Sequence, residues 1–417
     1  MIANIKVLSV YLLVQTNLVL GVAGATIHAI IFLLFPRYIL SKMSGAASGE
    51  FSTPRIRFTN FCLIFLAIFF ILIASLFHEL SGVFSLRDLL RFALSIFSGY
   101  LLYCYVSQNS KGLSYKALFS LLYFITAFAF FEGYTPLGDH IRDFGSLVQT
   151  HGFYVSTEGD GGDVRRFGFR RPTLLSPEPS YAAYALSFLL TAAAIRYRDE
   201  GGGLFSFHLF FISIALIFLI RSPNLLPGLI SVLFFISIFL LKKKRHFFMG
   251  IFLILVLLVA AYFLFEERVA RLLRAFGHDG FLLSSEFVRV VGPLRILGDL
   301  MNSEYWMYGV GFSANVNAVL FSDLVLSMPR SAPIGNNSLV RILLIFGMIG
   351  IPLIVISLII LLQLIDNSTH RILIFILVIQ ALFLNGSVTS YLFWYCTFFV
   401  LGISKSSSAI QGNRVWN

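Results

Sequence analysis

Charge is what this chain has least of. Only 12% of its 417 residues are Asp, Glu, Lys or Arg, about half the share of a soluble globular protein, and 58% are hydrophobic. That balance excludes an ordinary water-soluble domain. The apolar residues fall in long uncharged runs, Phe247 to Phe265 among them. Such runs mark helical spans, whereas a transmembrane barrel would show short alternating segments. Cysteine is scarce too. Cys62, Cys104 and Cys396 all lie inside apolar runs, which suits packing rather than a disulfide framework or a thiolate metal site. No small-residue cleavage pattern follows the first apolar run, so no cleavable signal peptide is expected.

Lysine is absent from two particular places. Apolar runs of spanning length predict about twelve transmembrane helices, near 6–20, 24–40, 58–77, 86–107, 117–133, 179–197, 204–221, 223–241, 247–265, 336–362, 372–384 and 386–403. The first two are joined by a tight turn at Gly21 to Gly24. The expected organisation is N-terminal transmembrane helices over 1–133, a first large external loop over 134–178 and central helices over 179–265. A second large external loop covers 266–335, and C-terminal helices with a cytoplasmic tail cover 336–417. The short loops carrying Lys6, Lys111, Lys116, Lys242 to Arg245, Arg371 and Lys405 fall on one side. The positive-inside rule makes that side cytoplasmic and puts both termini there. Neither long loop contains a lysine.

The net charge of +11 therefore reflects cytoplasmic turns, and no nucleic-acid partner is expected. The long loops are not basic: five arginines face six acidic residues in 134–178, and six face seven in 266–335. A nonspecific positive cloud does not explain those arginines. A guanidinium fork suits bidentate pairing with phosphate or carboxylate, so each is either paired internally or available to a ligand.

The densest cluster is Val164 to Tyr184, VRRFGFRRPTLLSPEPSYAAY. Arg165, Arg166, Arg170 and Arg171 lead into Ser176-Pro177-Glu178-Pro179, which reads as a helix start with Ser176 as N-cap and Pro177 at the first helical position. A helix N-terminus flanked by arginines suits an anion, be it a lipid headgroup or a substrate phosphate. Glu178 either complements the helix dipole or orients an arginine and acts as a base. The preceding acidic run, Glu158 to Asp163, is read as a turn, since its spacing matches no EF-hand loop. In the second loop, 266–276 reads as an interfacial helix with arginines on one face. It is followed by Ser285, Arg289, Arg295, the sequence Tyr308-Gly-Val-Gly311, and Asn336-Asn337-Ser338 at the next span. The paired glycines read as a turn, and no strand precedes them to make a dinucleotide fingerprint. His140, His151 and His278 stand singly, without metal-ligand spacing.

Taken together these features resemble the Wzy-type O-antigen polymerases and the related O-antigen ligases of bacteria. The resemblance rests on Arg165-Arg166-Phe-Gly168 through Glu178-Pro179 in the first loop. In the second it rests on Ser285 and Arg289, four residues apart, then Gly309 and Gly311, then Asn336-Asn337 before a span containing Gly347 and Gly350. It covers roughly 160 to 400. It implies an all-α polytopic bundle similar to the GT-C class, in the bacterial inner membrane. It also implies a metal-independent glycosyltransferase, without cofactor, that polymerises undecaprenyl-diphosphate-linked repeat units at the periplasmic face.

On that resemblance the donor and acceptor are both undecaprenyl-diphosphate-linked glycans, and a chain-length regulator and a flippase are expected partners beside the membrane lipids. Arg166, Arg170, Arg171, Glu178 and Arg289 are the expected catalytic residues. Arg165, Arg295, Tyr181, Gly311, Asn336 and Asn337 are the expected substrate-binding ones. Two alternatives stand beside polymerisation. A ligase would transfer glycan to lipid A core, but such ligases place His where this chain has Asn336. A flippase or exporter would move lipid-linked sugar, but few charges lie within the spans and no internal repeat is evident.

Overall fold

The computed structural model describes residues 19–22, 25–28, 34–36, 58–108, 113–148, 170–176, 179–200, 206–241, 248, 252, 255, 259, 270, 291–327, 337–384 and 391–415. Among these the chain is helical apart from one short hairpin. β1 (Val19–Val22) pairs antiparallel with β2 (Ala25–His28), Val22 opposite Ala25. Gly21 lies inside β1, so strands stand where helix ends were expected. Val19, Val22, Thr26 and Ile27 are β-branched and suit a pleated backbone.

The helices follow the apolar runs. α1 (Phe58–Leu80), α2 (Leu86–Gln108) and α3 (Tyr115–Tyr134) precede the first long loop. α4 (Leu137–Val148) lies within that loop. α5 (Pro179–Asp199), α6 (Ser206–Ile220) and α7 (Leu226–Leu241) form the middle group. The second loop contributes α8 (Gly292–Met301), α9 (Ala314–Asn317) and α10 (Asp323–Ser327). α11 (Ser338–Phe346), α12 (Gly350–Gln363), α13 (Ser368–Leu384) and α14 (Tyr391–Val415) complete the chain. Among the described residues four segments are long and apolar enough to cross a membrane: Cys62–Leu80, Leu86–Ser107, Tyr115–Tyr134 and Ser338–Gln363. These make the chain a membrane-embedded helical protein.

α5 is the axis of the main core. Ala182 to Ile195 are buried without exception, which explains why a central helix is less apolar than its neighbours: it meets protein, not lipid. Its small residues let other helices approach closely. The Gly228 N–H of α7 donates to the Ser187 hydroxyl at 3.3 Å, and that hydroxyl donates to the Asn224 carbonyl. α2 and α14 use the same device, with Gly99 set against Trp394 and Phe398, and Gly402 against Val106. Cys104 and Cys396 are buried free thiols in these two helices, and Cys62 is exposed on α1. α1 is the opposite of α5. Only 11% of its spanning window is buried, and Phe65, Leu72 and Leu76 face outward.

Polar contacts close the end opposite the long loops. The Asp199 carboxylate lies 3.4 Å from His370 Nε2, and His370 Nδ1 meets the Ser404 hydroxyl at 3.0 Å. Lys405 reaches Asp366 at 2.6 Å. A second, smaller core lies at the long-loop end, where Val291, Ile296, Leu300, Val310 and Phe312 pack against Ala74 of α1 and Val340 to Phe346 of α11.

Candidate functional site

The first long loop is tied to the bundle by a carboxylate that the sequence reading passed over. Glu132, in the last turn of α3, has a fully buried side chain. Its Oε1 accepts from the Thr173 N–H at 2.7 Å and the Thr173 hydroxyl at 2.8 Å, and its Oε2 from the Leu174 N–H at 2.8 Å. Leu174 and Leu175 both sit at positive φ, 54° and 65°, a conformation that leucine adopts only when its surroundings impose it. The Glu132 bonds and the burial of Leu174 supply that imposition. Arg142 of α4 lies 3.7 Å from Glu132 and donates to the Arg171 carbonyl at 3.3 Å.

Within this clamp, Arg170 pairs with Asp139 at 2.5 Å, both side chains well exposed to solvent. Arg170 is thus paired internally, in a bond that solvent or a ligand can compete for. Arg171 is half-buried beside it. α4 itself was not expected inside a polar loop. Leu137 and Phe144 lie on one of its faces and are exposed, which suits a helix resting on a membrane surface.

The second long loop is locked into a broken span. The expected single helix over 336–362 is interrupted: α11 ends at Gly347, whose φ is 57°, and α12 resumes at Gly350. A break exposes backbone groups that lipid cannot satisfy. Here the loop satisfies them. The Val310 and Gly311 N–H groups donate to the Leu344 and Ile345 carbonyls at 2.8 and 3.2 Å. Met348 and Ile349 in turn donate to Trp306 and Met307 at 3.0 and 3.2 Å. Gly311 has φ 77°, and a Cβ there would stand 2.8 Å from the Val83 carbonyl. Its position is explained by close packing of backbones. The buried His78 Nε2 donates to the Tyr308 carbonyl at 2.8 Å, and Phe77 stacks on the Tyr308 ring. Burial, with the Glu304 carboxylate adding to it, holds the Tyr305 phenol above its ordinary range.

The helix starts that follow the two long loops converge. Arg341, in the first turn of α11, is within electrostatic reach of Tyr181, in the first turn of α5, and of Asp88 and Arg91 on α2. Asp88 accepts from the hydroxyls of Ser85 at 2.9 Å and Ser313 at 2.6 Å, which ties the second loop to the same place. Arg341 Nε is buried without a hydrogen-bond partner among the described residues. Among the described residues, two guanidinium groups near one carboxylate leave positive charge in excess, a setting that favours an anion.

No family model, curated protein or solved structure matches this chain. The site therefore stands on its own geometry.

The expected residues are distributed as follows. Arg165, Arg166, Glu178, Arg289 and Asn336 lie outside the described residues, as does the interfacial helix expected at 266–276. Arg170 and Arg171 are at the Glu132 clamp, and Tyr181 is at the convergence. Arg295 is exposed on α8. Asn337 is the N-cap of α11, its Oδ1 accepting from the Leu339 and Val340 N–H groups at 3.0 and 3.3 Å. That oxygen is committed to the helix. Glu132, Arg91 and Arg341 were missed. The available signal was an ionisable residue inside or at the rim of an apolar run, which is costly in a membrane and so marks a purpose.

Proposed function

We propose that this chain is a polymerase that joins undecaprenyl-diphosphate-linked oligosaccharide repeat units into O-antigen or a related surface polysaccharide. One observation carries the reading: the helix starts after both long loops meet beside Arg341, whose buried Nε has no hydrogen-bond partner among the described residues. In this reading the chain is a GT-C-like bundle of about twelve spans in the bacterial inner membrane, with both termini cytoplasmic. The long-loop end faces the periplasm, where a flippase delivers repeat units and a chain-length regulator acts alongside.

The reaction moves one bond. A hydroxyl of the acceptor repeat unit attacks the anomeric carbon of the donor glycan. The bond from that carbon to the diphosphate oxygen breaks, its electron pair leaving with undecaprenyl diphosphate. The hydroxyl proton passes to Glu178 or to solvent. Charge growing on the leaving diphosphate needs positive partners, and guanidinium groups held in place meet that need without reorganisation. Arg166, Arg170, Arg171 and Arg289 are assigned that role, with Arg165, Arg295 and Tyr181 in binding. The broken α11–α12 span does not favour transport. Discontinuous helices in transporters turn their ends toward a ligand, whereas these ends are closed by the backbone of Trp306 to Gly311.

Reconstitution tests the proposal. Purified protein given lipid-diphosphate repeat units alone should produce a ladder of glycans. A requirement for lipid A core as acceptor would make it a ligase, and movement across vesicles without new glycosidic bonds would make it a transporter.

A further inference from the structure

From Tyr305 to Ser322 the second long loop carries no charged residue, and Glu304 and Asp323 bound the stretch. A loop standing wholly in water has no need of such a run. Its apolar side chains are not all used by the core: Trp306, Met307, Val319 and Leu320 are exposed. Phe321 connects the two pairs, since its ring meets Tyr305 at 6.3 Å and Tyr305 meets Tyr308 at 6.2 Å. The exposed residues therefore form a patch rather than standing singly, and such a patch marks an interaction surface.

Two lipid-facing stripes run up to this patch. On α1, Phe65, Phe69, Leu72, Leu76 and Leu80 recur every three or four residues and all are exposed, as one face of a helix in lipid. Phe77, beside Leu76, stacks on Tyr308 with ring centroids 5.0 Å apart. On α12 the stripe is Ile351, Val355 and Ile359. Just before it, the Met348 and Ile349 N–H groups donate to the Trp306 and Met307 carbonyls. Both stripes thus end at 306–308, where the exposed Glu79 and Glu304 mark the water side. The backbone there is suited to little water: the Gly309 N–H donates to the Tyr305 carbonyl at 2.7 Å, and Asn317 Nδ2 to the Val310 carbonyl at 2.8 Å. Hydrocarbon would reject the two glutamates, and water disfavours the exposed Trp, Met and Leu. The boundary between them accepts both, and it is where Trp and Tyr concentrate.

We propose that the segment from Tyr305 to Leu320 is a membrane-seating surface, with Trp306, Met307 and Leu320 inserted at the headgroup boundary of the leaflet on the long-loop side. Its partner is the bilayer itself. The charges that bound it, Glu79, Glu304 and Asp323, are acidic, so the seat depends on apolar burial and not on attraction to anionic lipid. The same backbone closes the break between α11 and α12, so the seat holds that break at a fixed depth. None of this depends on glycosyl transfer.

The test uses the full-length protein in nanodiscs of zwitterionic phospholipid. Nitroxides are placed by Met307→Cys and Leu320→Cys in a Cys62→Ser background, which leaves only the two buried cysteines. Collisions with oxygen, which concentrates in lipid, are compared with those of a nickel chelate, which stays in water. Both labels should favour oxygen, like a Leu72→Cys label in the lipid-facing stripe but at shallower depth, and Asp323→Cys should favour the chelate. Raising the salt should change neither result. Trp306→Phe should remove most of the tryptophan quenching caused by lipids brominated near the headgroup, and this arm decides the matter if a labelled variant does not fold. Chelate preference at both labelled positions would overturn the proposal and leave the patch in water. Exclusion of both reagents would also overturn it and show that protein covers the patch, with spin–spin broadening identifying a second copy of this chain. Quenching left intact in Trp306→Phe would overturn it as well.

Discussion

Glu132 and Leu174, 42 residues apart in the chain, are joined by a 2.8 Å hydrogen bond from the Leu174 N–H to the Glu132 carboxylate. With the two bonds from Thr173, it fixes the segment that carries Arg170 and Arg171 at the end of α3. Glu132→Gln should keep part of this clamp and lose its charge-assisted strength, destabilising the protein by about 1–3 kcal/mol. Glu132→Ala should cost more, because the two N–H groups lose their acceptor. Thermal midpoints in detergent check the order wild type, Gln, Ala. Three equal midpoints would remove Glu132 as an anchor.

Gly347 marks the break in the α11–α12 span, and a Cβ there would lie 2.6 Å from the Trp306 carbonyl. Gly347→Ala combines that clash with a positive φ, which costs of order 1–3 kcal/mol on its own. The variant should express poorly or melt well below wild type. A neutral substitution would mean that the loop backbone does not fill the break.

Asp139 and Arg170 are exposed partners, so their ion pair should contribute less than about 1 kcal/mol to stability. Asp139→Asn should leave the thermal midpoint nearly unchanged and should not lower glycan synthesis, since it only weakens one competitor for the Arg170 guanidinium. Arg170→Gln should lower synthesis with the same midpoint. Loss of synthesis in both variants would show that the pair, rather than the arginine, matters.

The apolar runs located helices well because the membrane imposes one rule on every lipid-facing backbone. Phe58–Leu80, Leu86–Gln108 and Tyr115–Tyr134 lie within a few residues of the expected spans. What the pattern did not carry was anything made by two distant segments. The break at Gly347 depends on Val310 and Gly311, and the clamp at Glu132 depends on a turn at Thr173 and Leu174. α4 was hidden for another reason: Leu137, Ile141 and Phe144 form a helical face, but Gly, Asp and Arg between them lower its average hydropathy. In the candidate site, the arginine-rich stretch drew attention to the end of the protein where Arg91 and Arg341 also lie. Arg91 and Arg341 escaped notice because each is single and lies at the rim of an otherwise apolar run.

In the polymerase reading, arginines at the long-loop end serve a departing lipid diphosphate. The most direct measurement follows polyprenyl diphosphate release and glycan growth together, using purified protein, lipid-diphosphate repeat units and EDTA. One diphosphate lipid should be released per glycosidic bond, undiminished by the chelator and abolished in most part by Arg289→Lys with expression intact. Glycan growth without diphosphate release, dependence on a divalent ion, or near-normal synthesis by Arg289→Lys would contradict it.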